Sequence, residues 1–129
     1  MKTEDKIKPT GELLTRTVPM PADTNANGDI FGGWIMSQMD IASGIMAKSV
    51  AKSRVATVAV NGMAFHHPVQ VGDTVACFGE LKKIGTTSMN IQIEVWSQRS
   101  IQDVYFCVTE ALFTYVAIDD DGKPIPVKR

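Results

Sequence analysis

Cysteine, histidine and excess charge are all scarce in this chain. Its two cysteines, Cys77 and Cys107, lie in strand-like runs without metal-ligand spacing. That fits reduced, buried small hydrophobes rather than a disulfide scaffold or a metal centre. The net charge of −1 offers no electrostatic footprint for nucleic acid or an anionic membrane. A polyanionic ligand would have to be gripped by a local basic patch. Met1 to Thr10 mixes Lys, Glu and Asp with no apolar signal-like stretch, and reads as the frayed N-terminal tail of a cytoplasmic protein. Internal repeats and linkers are absent too, so residues 1–129 read as a single domain, with 1–10 a flexible N-terminal tail and 123–129 a C-terminal tail. Residues 30–47 reach the ~18-residue length of a membrane span. They contain Ser37, Gln38, Asp40, Ser43 and three glycines, however, and Lys48 and Lys52 follow. A core helix of a water-soluble domain explains the run better.

What is present is 44% hydrophobic residues against 21% charged, enough for one core. Glu12 to Val18 is rich in β-formers and stops at Pro19 and Pro21, which cannot donate to a ladder. A turn dense in Asn, Asp and Gly follows from Asp23 to Asp29. The only long helical segment comes next and should lose hold near Lys52 and Ser53. Asp40 alone carries a formal charge between Ile30 and Ala47. Ser37, Asp40, Ser43, Gly44 and Ala47 form a small or polar stripe at helical spacing, where another backbone or a ligand could approach closely. Burying an unpaired carboxylate there would cost several kcal/mol.

Beyond the helix the period becomes two. Val55 to Val60 reads as a strand that Gly62 to Phe65 continues through a bulge or bend at the glycine. Thr74 to Ile84, Ser88 to Ser100 and Val104 to Asp119 follow, separated by turns. Met89, Ile91, Ile93 and Val95 share one face, with Asn90, Gln92, Glu94 and Trp96 opposite. In the last strand Val104, Phe106, Val108, Leu112, Val116 and Ile118 are expected to face inward. The order is a strand, one helix apolar nearly all round, then four strands in an antiparallel meander. Such a helix needs cover on most sides, which a curved sheet and then a partner subunit can supply.

The run Asp23-Thr-Asn25-Ala-Asn27-Gly28-Asp29 opens like a calcium loop, but position twelve is Trp34 rather than a bidentate Glu, and Pro19 and Pro21 forbid an entering helix. Gly28, Gly32 and Gly33 lack the spacing of a phosphate-loop or dinucleotide fingerprint. The glycine pair still leaves unpaired N–H groups at the positive end of a helix, suited to an anion or a developing oxyanion, or else serves tight packing alone. His66 and His67, adjacent on an extended segment, point oppositely and make no ligand pair. No serine or cysteine has the context of a nucleophile. Asp40 is either a structural carboxylate or a general base or nucleophile.

From Met20 to Asp40 the sequence closely resembles the bacterial acyl-CoA thioesterases of the YciA type, which have the hotdog fold. Three further segments match in the same order: Gly62 to Asp73, Gly85-Thr86-Thr87-Ser88, and Thr109-Glu-Ala-Leu-Phe-Thr-Tyr115-Val-Ala. The likeness covers roughly Gly11 to Gly122. It implies an α+β hotdog fold, a five-stranded antiparallel sheet wrapped around one long central helix, paired into dimers and often assembled as a trimer of dimers. It also implies hydrolysis of acyl-CoA to free acid and CoA with no metal or cofactor, coenzyme A being part of substrate and product. By the same resemblance Asp40 of one subunit faces Asn25 and the Gly32-Gly33 amides of another. Asp40 would activate water or attack directly, Gly33 N–H would hold the thioester oxygen, and Asn25 would orient water or substrate. Arg54, His67, Lys82, Lys83, Gly85, Thr86, Thr87 and Ser88 are the candidates for the CoA portion. Phe31 stands where many hotdog enzymes carry His, which argues against dehydratase chemistry. His67 replaces a basic residue common among relatives. A non-catalytic acyl-CoA sensor and a hotdog hydratase or dehydratase are the rival readings.

Overall fold

The computed structural model describes residues 7–129. The expected tail 1–10 therefore falls mostly outside the described residues, although Thr10 N–H donates to Glu94 Oε1 at 3.1 Å. Strand β1 (Glu12–Thr17) precedes helix α1 (Gly32–Ala51), followed by β2 (Arg54–Asn61), β3 (Thr74–Ile84), β4 (Ser88–Arg99) and β5 (Val104–Ile118). A short 3-10 turn at Pro21–Asp23 lies between β1 and α1.

The five strands form one antiparallel sheet in the order β1-β3-β4-β5-β2. Only β3, β4 and β5 form a meander. The expected four-stranded meander is corrected, because β2 pairs with β5 and lies at the sheet edge. Residues 62–73 form the crossover that this demands. Each of the four ladders carries one register shift, and such bulges increase twist and bend the strand. The sheet can thereby curl round α1.

Gly62 to Phe65 does not continue β2. Pairing with β5 ends at Asn61, and Gly62 takes φ +75°, a conformation glycine adopts without a Cβ penalty. The segment is tied to β5 by other bonds: Thr109 Oγ1 donates to Ala64 O at 2.6 Å and His66 N to Val108 O at 2.9 Å. Further on, Asp73 is buried and accepts from Gln70 N and Ser97 Oγ, each at 2.9 Å, and from Arg99 Nε at 3.1 Å. Arg99 also donates to Pro68 O and lies over the Phe106 ring. Removing one partner of a buried, hydrogen-bonded ion pair is expensive, so Asp73→Ala should lower stability by about 3 kcal/mol. Equilibrium urea unfolding checks this, and a loss of under about 1 kcal/mol, the worth of an exposed pair, would contradict the structural role given to it.

Met89, Ile91, Ile93 and Val95 are fully buried, as the alternation predicts. Glu94 and Trp96, expected on the outer face, are buried as well, with Trp96 Nε1 donating to Glu94 Oε1 and Tyr105 stacked on Trp96. The inward set of β5 is corrected. Val108 is skipped in the β4–β5 register, and one extra residue moves every later side chain to the other face. Val108 is buried, but beyond it Ala111, Phe113, Tyr115 and Ala117 enter the core instead of Leu112, Val116 and Ile118.

In α1, Ile35, Met39, Ala42, Ser43, Gly44, Ala47 and Ala51 are buried, whereas Met36, Ile41 and Ile45 are 43%, 54% and 46% exposed. Most of the small stripe therefore faces the sheet. At Gly44 an added Cβ would stand 3.8 Å from the Tyr115 ring and hydroxyl, an ordinary van der Waals distance, so Tyr115 lies close beside the helix there. Lys52 ends the helix in a left-handed conformation, and Arg129 Nη2 donates to Ala51 O at 2.6 Å. The 123–129 segment is docked, with Val127 buried and its N–H bonded to Thr86 O.

Candidate active site

Asp40 sits at the exposed edge of α1, so within one chain this carboxylate is not buried. Its Oδ1 accepts from Thr57 Oγ1 of β2 at 2.6 Å and from the Tyr115 hydroxyl of β5 at 2.5 Å. Oδ2 makes no hydrogen bond among the described residues. Burial first, and the bond to Asp40 second, push the Tyr115 phenol well above its ordinary range, so it remains a proton donor throughout the working pH range. Asp40 lines a cleft of about 230 Å³ with Met36, Ser37, Thr57, Val60 and Phe113.

A separate cleft of about 350 Å³ lies at the helix start, lined by Asn25, Asp29, Gly32, Phe65, His67 and Val69 among others. The Asn25–Asp29 turn folds on itself: Asn25 Oδ1 accepts from Asn27 N and Asp29 N at 2.9 and 3.2 Å. That use of the carbonyl leaves the Asn25 amide NH₂ as the group available to a ligand. Ile30 N bonds Val69 O, Phe31 N bonds Asp23 O, and Trp34 N bonds Phe31 O. The Gly32 and Gly33 amides have no acceptor among the described residues, as the first turn of a helix requires. An added Cβ at Gly33 would meet the Phe31 ring at 3.3 Å. The Phe31 ring thus lies where a side chain at position 33 would go.

The candidates for the CoA portion fall into two groups. His67 contacts the Phe106 ring edge-on near the start of β5. Gly85 to Ser88 lies beside the other end of that strand: Ala117 N donates to Thr87 O, and Gly85 N to Ser88 O. About ten strand residues, some 30 Å, separate the two. Lys82 and Lys83 are exposed near the end of β3, Lys82 pairing with Glu80. Arg54 donates to the Asp119 and Asp120 carbonyls. A cleft of about 390 Å³ joins Gly85 and Thr86 to Pro126 and Lys128. Lys128, Thr57 and Tyr115 were not singled out by sequence reasoning. Tyr115 stands in a segment whose likeness to the thioesterases was noted; nothing local marks the others.

A sheet curled round one long helix, with an exposed carboxylate midway along it and a glycine pair opening it, defines the hotdog class, and the chain belongs to the Thioesterase superfamily, whose family model matches residues 27–102. Within it the chain is of the YciA acyl-CoA thioester hydrolase type. Acyl-CoA thioester hydrolase YciA of Salmonella typhimurium is 57% identical over 130 residues, covering 98% of this chain and 97% of the relative. The hexameric thioesterase y2039 of Yersinia pestis superposes with a TM-score of 0.91 at 54% identity, over 95% of this chain and 100% of the other. HI0827, a hexameric broad-specificity acyl-coenzyme A thioesterase, gives a TM-score of 0.91 at 47% identity, over 100% of this chain and 89% of that one. The HI0827 structure is also known with one aspartate replaced by alanine. Among the described residues no helix is long and apolar enough to cross a membrane.

Proposed function

We propose that this chain is an acyl-CoA thioesterase whose active site is shared between two copies. The observation that carries the chemistry is the Asp40 carboxylate, which lines a cleft and has one oxygen held by two hydroxyls while the other makes no hydrogen bond among the described residues. A carboxylate presented in this way either takes a proton from water as the water adds to the thioester carbonyl, or adds to that carbonyl itself. The negative charge then developing on the carbonyl oxygen is met by the Gly33 N–H at the positive end of a helix. When the C–S bond breaks, CoA leaves as the thiolate and takes up a proton; on the water route the acyl group leaves directly as the acid, and on the direct route it stays on Asp40 as a mixed anhydride that a water then cleaves to the acid and the free carboxylate.

Gly33 and Asp40 lie seven residues apart on one helix, about 10 Å of rise. That is too far for both to act on one carbonyl carbon. A second copy supplies the missing half. The open face beside Asp40 is apolar, with Met36, Ile41, Ile45, Val58 and Val60 all exposed on α1 and the edge strand β2. Large exposed apolar patches of this kind mark association surfaces. The hexameric state of the two solved relatives supports self-association, and a trimer of dimers is the assembly proposed. Asn25 would orient water or substrate across the interface. His67, Lys82, Lys83, Arg54 and the Gly85–Ser88 loop are proposed to hold the nucleotide and pantetheine portion, each copy contributing one of the two groups.

Release of CoA from a panel of acyl-CoAs, read by a thiol reagent, tests the reaction class. Both cysteines are buried, and burial pushes the Cys77 thiol up to about 11, so protein thiols contribute little background. Turnover on the order of 1 per second or faster is expected. Binding without thiol release would mark a sensor instead. A change in enoyl-CoA absorbance with no free thiol would mark a hydratase.

A further inference from the structure

We propose that Tyr115 is a positioning residue for thioester hydrolysis: with Thr57 it fixes Oδ1 of Asp40 and leaves Oδ2 as the one carboxylate oxygen free to meet water or the thioester. The inference rests on the reading of Asp40 as the reacting carboxylate. Tyr115 reaches the helix from 75 residues away and is only 2% exposed. Its ring stacks on Phe113 with centroids 6.4 Å apart, and Gly44 of α1 lies against its other atoms. The burial of the ring holds the hydroxyl against the helix.

Two acceptors lie within reach of this single proton, Asp40 Oδ1 at 2.5 Å and the Asp40 backbone O at 2.6 Å. The backbone oxygen already serves the helix ladder. The carboxylate oxygen is outside that ladder, and an ionised acceptor makes the stronger bond. Thr57 approaches the same Oδ1 from the edge strand. Two donors from two strands thus set the rotation of the carboxylate about its own bond. Asp40 lines a cleft whose apolar residues Met36, Val60 and Phe113 confine what can reach its unbonded oxygen. A bare Asp on a helix would sample several rotamers, and misplacement of a reacting group by an ångström can cost up to about 100-fold.

Tyr115→Phe removes the hydroxyl and keeps the ring. Expected are a fall in kcat of about tenfold or more, with KM within about twofold of wild type. A residue that acts through Asp40 should add no further loss to Asp40→Asn, whereas an independent structural defect would multiply with it. Thr57→Val, on exposed surface and away from the core, reads the second donor and should show the same pattern at smaller size. Wild-type kcat in Tyr115→Phe, an effect confined to KM, or an equal fold loss in the Asp40→Asn background would overturn the proposal. If Tyr115→Phe does not yield folded protein, wild-type kcat in Thr57→Val overturns it, and a loss that vanishes in the Asp40→Asn background supports it. The two readings fail separately. Inactive Asp40→Asn beside fully active Tyr115→Phe removes only the role of Tyr115, and fully active Asp40→Asn removes both.

Discussion

Asp40→Asn should fold and assemble normally yet lose about 10³-fold in acyl-CoA turnover, the worth of a general base or carboxylate nucleophile. The amide is the same size, so packing against Met36 and Phe113 is kept. Its oxygen can still accept from Thr57 and Tyr115, whose bonds all go to a single carboxylate oxygen. What changes is the other position, where an NH₂ with neither basicity nor charge replaces Oδ2. Because Asp40 is exposed on an open face, no buried charge is left unpaired by the substitution, and little change in melting temperature is expected. Separate measurement of kcat and KM on one acyl-CoA, with melting and assembly state recorded on the same sample, decides it. Folded Asp40→Asn with wild-type turnover would remove the carboxylate from the mechanism.

Asn25→Ala should lose about 10²-fold although Asn25 and Asp40 line different clefts of their own chain. The loss is expected mainly in kcat, since the side chain would orient water or the reacting carbonyl rather than grip the CoA body. Part of any effect could come from the turn, because Asn25 Oδ1 also caps Asn27 N and Asp29 N. Asn25→Asp separates the two. It keeps an acceptor for those amides and removes the NH₂, so the turn persists and the activity should still fall. Retained activity in Asn25→Asp would assign Asn25 to the turn alone.

Much of the fold is legible in the sequence because hydrophobic period and turn residues are local signals. Thr74–Ile84 is bounded by Val71-Gly72-Asp73 and Gly85, and both ends were readable. What was not readable depends on partners distant along the chain. The Val108 bulge exists because β4 sets the register of β5, and it reverses an alternation that looked continuous in β5 alone. Trp96 looked outward by parity, and is buried because Tyr105 covers it from the neighbouring strand. Gly62 resembled a bend within a strand and instead ends it. The small stripe on α1 was visible, but the sheet rather than a ligand lies against most of it. Likewise the carboxylate at position 40 stands out by charge alone, while the hydroxyls that hold it come from 17 and 75 residues away. The proposed sharing of the site between copies is suggested by family likeness and by the apolar face beside Asp40, since a single chain keeps the two halves apart.

The central claim, one site built from two copies, is tested most directly by mixing two inactive variants. Asp40→Asn and Asn25→Ala chains are unfolded together in equal amounts, refolded, and assayed for CoA release beside each variant refolded alone. If Asp40 of one copy works with Asn25 of another, half of random pairs are mixed and each mixed pair contains one intact site, so activity should return to about a quarter of wild type. If both residues act within a single chain, every site carries a lesion. The mixture would then be no more active than the average of the two variants refolded separately, and the shared site would be contradicted.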